Sequence, residues 1–138
     1  MYEMYLGRLK LPLLPINLKE SVSKDNKRYD VLSFGEVIKP GRMKLRSWTI
    51  NSEFRHSDGV DAKTYIEAIK KYLYDKKETL KPIRFIVNRF NEDGSISLNT
   101  NTLVVVDSFD VEDKEGEPGD FYYSIKITEY RKFEAKKL

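Results

Sequence analysis

The 138-residue sequence contains no cysteine and only one histidine, His56. The absence of cysteine excludes a disulfide framework, a thiolate zinc site and a cysteine nucleophile. A single histidine excludes a multi-histidine metal centre and a histidine relay. No GxGxxG or GxxxxGK[ST] phosphate-binding motif is present. Apolar runs such as residues 103–106 are far shorter than the roughly 20 residues that span a membrane. We therefore expect no catalytic, cofactor-binding or metal site, no cofactor and no membrane partner.

The chain is rich in charge of both signs. It carries 25 Lys and Arg against 22 Asp and Glu, for a net charge of +3, and 40% of its residues are hydrophobic. This composition supports one compact domain over residues 1–138. The charge is almost balanced, whereas nucleic-acid binding favours a concentrated basic face. We therefore do not expect nucleic-acid binding to be the main function. Met1 is followed by neither a basic nor a long apolar region, so we expect no signal peptide.

The periodicity of the apolar residues predicts mostly strands. Alternating patterns predict strands over residues 28–34, 43–50, 83–87, 102–111 and 121–130. Apolar residues at three- and four-residue steps from Ala62 to Leu73 predict one amphipathic helix with Asp61 as its N-cap. The last two strands are expected to form an antiparallel hairpin across an acidic loop. The predicted fold is α+β, a mostly antiparallel sheet of about five or six strands with one main helix packed on it.

The acidic loop, residues 110–120, is the obvious place to look for a cation site. Its fifth and sixth positions are Lys114 and Glu115, whereas an EF-hand loop needs an acceptor and then a glycine there. A solvated turn is the simple interpretation, and an adventitious cation site stays open. His56 lies in a polar stretch with no evident nucleophile or orienting carboxylate, and no pair of carboxylates stands out as a glycosidase pair.

Four groups of short segments carry a resemblance to a known family. In chain order they are Leu9–Asn17 (LKLPLLPIN), Phe34–Gly41 (FGEVIKPG), Tyr65–Leu73 followed by Lys81–Val87, and finally Val106–Phe109 with Pro118–Ile125 and Glu129–Arg131. In this order and spacing, from about Leu9 to Phe133, the chain resembles the N-terminal domain of the LysM-type tail and baseplate proteins of contractile phages and phage-tail-like particles, including the PBSX type.

The sequence departs from the family pattern in two places. Residues 53–55 read Glu-Phe-Arg, where the family has two aromatics and a proline. The family also continues into a C-terminal LysM module, whereas this sequence ends at Leu138. We therefore expect no LysM module here, and its contribution to packing or glycan contact is not carried over.

The resemblance implies a structural, non-enzymatic baseplate or hub adaptor. Its implied partners are the tail tube or tube initiator, the central hub or spike, and the baseplate wedge. Several copies would form a ring, six if the copy number follows tail symmetry. The protein would lie in the bacterial cytoplasm during assembly and then in a phage tail or a released tail-like particle.

An N-terminal arm (about residues 1–20) and a basic C-terminal tail (about residues 131–138) are the segments expected to contact other subunits. Large apolar, aromatic and arginine side chains are favoured at protein interfaces. The interface candidates are Leu9, Leu11, Pro12, Leu14, Pro15, Trp48, Phe54, Tyr130, Arg131 and Phe133.

Three alternatives stay open. The arm and the tail can pack on their own domain instead of on a neighbour. The chain can be a tail-associated protein that binds or degrades cell-wall glycan, which predicts a cleft with two carboxylates. It can also be a nucleic-acid-binding module, because nine tyrosines with interleaved Lys and Arg fit a stacking platform.

Overall fold

The computed structural model describes residues 2–11, 17–56, 59–74, 81–116 and 118–132. Within these ranges the chain forms nine strands and one helix. The strands are β1 (Tyr2–Leu6), β2 (Leu9–Lys10), β3 (Asn17–Ser21), β4 (Lys27–Val31), β5 (Gly35–Lys39), β6 (Ser47–Phe54), β7 (Ile83–Phe90), β8 (Ile96–Asp113) and β9 (Phe121–Glu129). The helix α1 spans Ala62–Tyr74.

Seven of these strands form one antiparallel sheet in the order β2-β1-β7-β8-β9-β6-β3. Strand β8 joins its two halves, because its first half pairs with β7 and its second half pairs with β9. The register of β8 shifts between Val106 and Ser108, so that Asp107 forms a bulge near the middle of the strand. Bulges bend a strand and increase its twist, and this one lies where the two halves of the sheet meet.

The core lies between the two halves of the sheet. Phe85 of β7 and Trp48 of β6 are both buried, with ring centroids 5.4 Å apart. Since β8 and β9 separate these two strands in the sheet order, the sheet must curl so that its two halves face each other. Phe54 extends the core by stacking on Tyr123 of β9 at 4.3 Å and on Tyr65 of α1 at 5.6 Å.

Helix α1 begins and packs as its sequence predicts. The carboxylate of Asp61 accepts a hydrogen bond from the Thr64 hydroxyl at 2.8 Å. One face of the helix turns its apolar residues to the sheet, with Ile69 fully buried. Near the C-terminal end, the Tyr72 hydroxyl donates to the carbonyl of Leu6 at 3.0 Å. The helix therefore fastens the first strand to the rest of the core.

The predicted fold class is wrong. Strand accounts for 57% and helix for 12% of the described chain, with nine strands across two sheets instead of five or six on one sheet. Strands β1, β3 and β5 were not predicted, and only residues 102–111 of β8 were. Strands β3 and β5 carry mostly exposed side chains, two of five being charged in each, so they give no alternating hydrophobic signal. Residues 51–54, expected in a loop, continue β6.

Other predictions about the elements are confirmed. β8 and β9 form the antiparallel hairpin expected across the acidic loop, and Gly94 has a φ of 87° in the turn between β7 and β8. Residues 2–11 of the expected N-terminal arm contribute β1 and β2 to the main sheet, while residues 12–16 lie outside the described ranges. The division into one domain with an arm and a tail stays a prediction.

Candidate protein-interaction surface

The described residues offer little catalytic chemistry. Within the described ranges, no group of three or more His, Asp and Glu side chains is placed to hold a metal ion. His56 meets Asp120 through its backbone N–H, which donates to the carboxylate at 2.7 Å. Burial raises the pKa of Tyr123 to about 12, an effect partly offset by a hydrogen bond with Ser52. This phenol is therefore neutral near pH 7.

The same part of the chain contains no helix that is long and apolar enough to cross a membrane.

The predicted interface residues fall into three groups. Leu11, Trp48 and Phe54 are buried in the core, so they present almost no side-chain surface in the isolated chain. Leu9 is half-buried against the core, whereas Tyr130 is 39% exposed and Arg131 is exposed with its guanidinium 3.5 Å from Glu129. The remaining candidates, Pro12, Leu14, Pro15 and Phe133, lie outside the described residues. A role in partner contact stays a prediction for all ten.

Most of the exposed large apolar side chains among the described residues lie elsewhere, on residues 22–45, which we call the hairpin segment. It connects β3 to β6 and contains the separate two-stranded sheet of β4 and β5. Among the described elements, β4 and β5 have extensive contacts only with each other. Its exposed large apolar residues are Val22, Tyr29, Val31, Leu32, Phe34, Ile38, Met43 and Leu45. An isolated two-stranded hairpin is at best marginally stable in water, which favours a partner that covers it.

The tip of the hairpin segment presents two large side chains to solvent. The N–H of Phe34 donates to the carbonyl of Val31 at 3.1 Å, which closes a β-turn. Ser33 occupies this turn with a φ of 74°, a conformation that costs energy in a non-glycine residue. Leu32 and Phe34 are 95% and 80% exposed. Burying each against a partner would contribute about 1.5–3 kcal/mol, and exposed apolar clusters of this kind mark interaction sites.

Backbone contacts align the two arms at the base of the hairpin segment. Asp25 donates its N–H to Arg42 at 2.9 Å, and Lys44 donates to Ser23 at 2.8 Å. The N–H of Gly41 donates to the side-chain oxygen of Asn26 at 2.8 Å. A Cβ at Gly41 would lie 1.7 Å from the carbonyl oxygen of Asp25. Only glycine therefore permits the two arms to approach this closely.

An ionic network lies at the point where the chain passes from the hairpin segment into the main sheet. Arg46 donates to the carboxylate of Glu129 through Nη2 at 2.8 Å, Nε at 3.2 Å and its backbone N at 3.3 Å. It also lies 3.5 Å from Glu20 and 5.2 Å from the Trp48 ring. Hydrogen bonds from Arg46 lower the pKa of Glu129, while desolvation acts in the opposite direction. Charge-assisted bidentate pairs of this kind are directional, so the network fixes where the hairpin segment leaves the sheet.

The opposite end of the sheet is acidic. Asp110, Glu112 and Asp113 are exposed at the end of β8. Beside them, the buried carboxylate of Glu53 lies 2.5 Å from Arg55 and 3.6 Å from Lys114. Glu53 therefore engages both of these cations. The sequence analysis found this acidic loop but missed the surface of the hairpin segment. The pattern of residues 28–34 predicts a strand there, whereas Leu32 and Phe34 lie exposed at the turn between β4 and β5.

No known protein-family profile matches the chain. It is 25% identical over 150 aligned residues to the uncharacterized protein YqbP of Bacillus subtilis (strain 168), an alignment that covers 99% of the chain and 63% of YqbP. The chain thus spans less than two thirds of the length of this curated relative.

The fold is shared with chains from solved tail-like assemblies. A chain of the anti-feeding prophage baseplate, reconstructed with six-fold symmetry, matches with a TM-score of 0.62 at 6% identity over 94% of this chain and 87% of its own length. A chain of the sheath/tube terminator of the extracellular contractile injection system PVC matches with a TM-score of 0.61 at 12% identity over 94% and 89%. A chain of the gene transfer agent virion matches with a TM-score of 0.58 at 14% identity over 95% and 92%. These likenesses extend across almost the whole chain and show a fold found in contractile and phage-tail-like particles.

Proposed function

We propose that this protein is a structural, non-enzymatic subunit of a contractile phage tail or a tail-like particle. The observation that carries the proposal is the shared fold, which covers 94–95% of this chain in matches to assembled particles. Catalysis is not needed to explain the described side chains, because their charged groups are engaged in ion pairs or exposed to solvent. The exposed hairpin segment supplies the partner-binding surface that such a subunit requires.

The finer proposal is a baseplate or hub adaptor that joins the tail tube, the central hub and the wedge proteins. It rests on the resemblance of the sequence to the N-terminal domain of LysM-type tail proteins. The match to a chain in a six-fold symmetrised baseplate is compatible with it. Under this proposal, several copies form a ring at the end of the tube. The protein assembles in the bacterial cytoplasm and then remains in the particle.

A reconstruction of the particle tests this proposal. Particles would be purified from the source strain, from a strain in which the gene is deleted, and from the deletion strain carrying the gene in trans. We expect density for this fold near the baseplate in the first and third preparations, and incomplete tails in the second. Intact, contractile particles that lack the protein would overturn the proposal. Density along the whole tube would overturn only the adaptor role.

A hydrolysis assay tests the non-enzymatic part of the proposal. Purified protein would be incubated with bacterial cell-wall peptidoglycan, with lysozyme as the positive control. We expect no release of soluble glycan above a buffer blank. Release that scales with protein concentration would overturn this part and favour the cell-wall alternative.

A further inference from the structure

We propose that the hairpin segment of one copy docks on the acidic end of a second copy. The acidic end is defined as residues 110–116 and 118–120 together with Tyr122. The contact is heterologous, since it joins two different surfaces. Its meaning in a tail rests on the proposed function, whereas the physical argument uses only the surfaces of this chain.

The two surfaces carry opposite charge. The hairpin segment contains six Lys and Arg against three Asp and Glu. The acidic end contains five Asp and Glu against one Lys, and that one, Lys114, is paired with Glu53. The small net charge of the whole chain therefore conceals a separation of charge between two regions. Complementary potentials favour specific encounter and fix the orientation of two partners.

The two surfaces also lie at opposite ends of the main sheet. Ser47 of β6 pairs with Thr128 beside the hairpin segment, whereas Phe54 pairs with Phe121 beside the acidic end. The eight residues of β6 separate these ends by about 25 Å. Among the described elements, β4 and β5 do not pack on the acidic end of their own chain. The acidic end is thus left available to another copy.

Each surface contains like charges whose mutual repulsion a partner of opposite charge would reduce. Lys27 and Lys39 are directly opposite each other on β4 and β5, an arrangement that destabilises a two-stranded sheet. Arg42 lines the same groove, in which Asp25 is the one acidic residue. On the other surface, Asp110 and Glu112 line a second groove together with Val111 and Tyr122. Docking would place cations of the first groove near carboxylates of the second.

Apolar side chains accompany the charges on both surfaces. Leu32 and Phe34 lie exposed at the tip of the hairpin segment. At the acidic end, Val111 and Tyr122 are 37% and 40% exposed. The contact would therefore combine buried apolar area with a polar rim, which is the usual anatomy of a protein interface. A heterologous contact closes into a ring or continues as an open stack, depending on its rotation.

A charge-swap experiment tests the pairing. One variant carries Lys27→Glu with Lys39→Glu, and the other carries Asp110→Lys with Glu112→Lys. Sedimentation velocity of the full chain would measure self-association at 50 and 500 mM NaCl. We expect the wild type to associate more weakly at high salt and each variant to associate at least 10-fold more weakly than the wild type. An equimolar mixture of the two variants should recover association, because each reversed surface then meets its complement.

Matched controls separate the charge effect from misfolding. Lys70→Glu with Lys71→Glu changes two exposed cations of α1 by the same charge and should leave self-association unchanged. Circular dichroism and thermal unfolding should be the same for all variants. A Leu32→Ser, Phe34→Ser variant should lose self-association by about 100-fold or more.

Several outcomes would overturn the pairing. They are a wild type that stays monomeric up to about 1 mM, variants that associate like the wild type, and a mixture that does not recover. None of these bears on whether the protein is present in the particle. Conversely, absence from the particle would overturn the proposed function and leave a measured pairing intact.

Discussion

At the scale of one residue, Phe54 is a predicted interface aromatic that forms part of the core of the isolated chain. It is fully buried and stacks on Tyr65 and Tyr123. We expect Phe54→Ala to lower the free energy of unfolding by about 3–5 kcal/mol, because it removes these contacts and leaves a cavity. Tyr130→Ala should change it by less than about 0.5 kcal/mol, since Tyr130 is partly exposed. Urea denaturation measures both.

If Phe54→Ala fails to fold, Phe54→Leu gives a smaller and measurable loss, since it retains most of the apolar volume. Equal effects of the substitutions at positions 54 and 130 would contradict the assignment of Phe54 to the core.

Glu129 gives a residue-scale prediction with a pH dependence. Its side chain is 12% exposed and accepts three hydrogen bonds from Arg46. Glu129→Gln should cost about 1.5–3 kcal/mol near pH 7, the usual range for hydrogen bonds to charged groups. Because the pKa of Glu129 is lowered from its ordinary value of 4.5 in the folded state, its stabilisation is present above about pH 4.5 and is lost as the pH falls through the folded pKa.

Urea denaturation from pH 7 to pH 3 would measure this dependence. The curves of the wild type and the variant should converge at the acid end. Glu36→Gln is the matched control, because Glu36 pairs with Arg28 at 3.4 Å on an exposed surface and should contribute less than about 0.5 kcal/mol. A difference between Glu129→Gln and the wild type that stays constant with pH would contradict this assignment.

At the scale of elements, predictability follows burial on one face. Strand β9 alternates between buried and exposed positions, so its sequence carries the period of a half-buried strand. Helix α1 likewise has an apolar stripe and a polar start. In contrast, β4 and β5 have no buried face. The alternation over residues 28–34 predicts a strand near β4 but does not reveal that both of its faces are exposed, and β5 gives no strand signal. The curl of the sheet depends on contacts such as Trp48 with Phe85, which are distant in sequence and leave no local signal.

The base of the hairpin segment is an element that can be disturbed without touching the core. Gly41→Ala would place a Cβ against the carbonyl of Asp25, so the two arms must separate. We expect trypsin to cleave after Arg42 and Lys44 several-fold faster than in the wild type. The melting temperature should fall by less than about 2 °C, because only a surface element opens. Mass spectrometry of timed digests identifies the cleavage sites.

Ser23→Ala is the control for Gly41→Ala, since it also yields alanine on the opposite arm but adds no Cβ and only removes a hydroxyl group. It should be cleaved like the wild type. A large fall in the melting temperature of Gly41→Ala, or cleavage at the wild-type rate, would show that the base of the hairpin segment is organised differently.

At the scale of the whole molecule, folding and assembly use different parts of the chain. The core lies between the halves of the main sheet, whereas most of the exposed large apolar side chains of the described residues lie on the hairpin segment. Under the proposed docking, the main sheet holds the hairpin segment and the acidic end at a fixed distance from each other. Apolar groups of the hairpin segment are thus exposed without being taken from the core.

Excision of the hairpin segment tests this separation directly. Ser21 pairs with Ser47, so Val22 and Arg46 face each other, and an Asn-Gly pair in place of residues 23–45 can join them in a two-residue turn. We expect the free energy of unfolding to change by less than about 1 kcal/mol, because the contacts of Arg46 with Glu129 and the core are retained. The excised form should nevertheless be missing from particles purified from a deletion strain that expresses it.

Asp93→Asn, at the exposed turn between β7 and β8, is the control and should be incorporated normally. Incorporation of the excised form would show that assembly uses another surface, and a large loss of stability would show that the hairpin segment belongs to the folding unit.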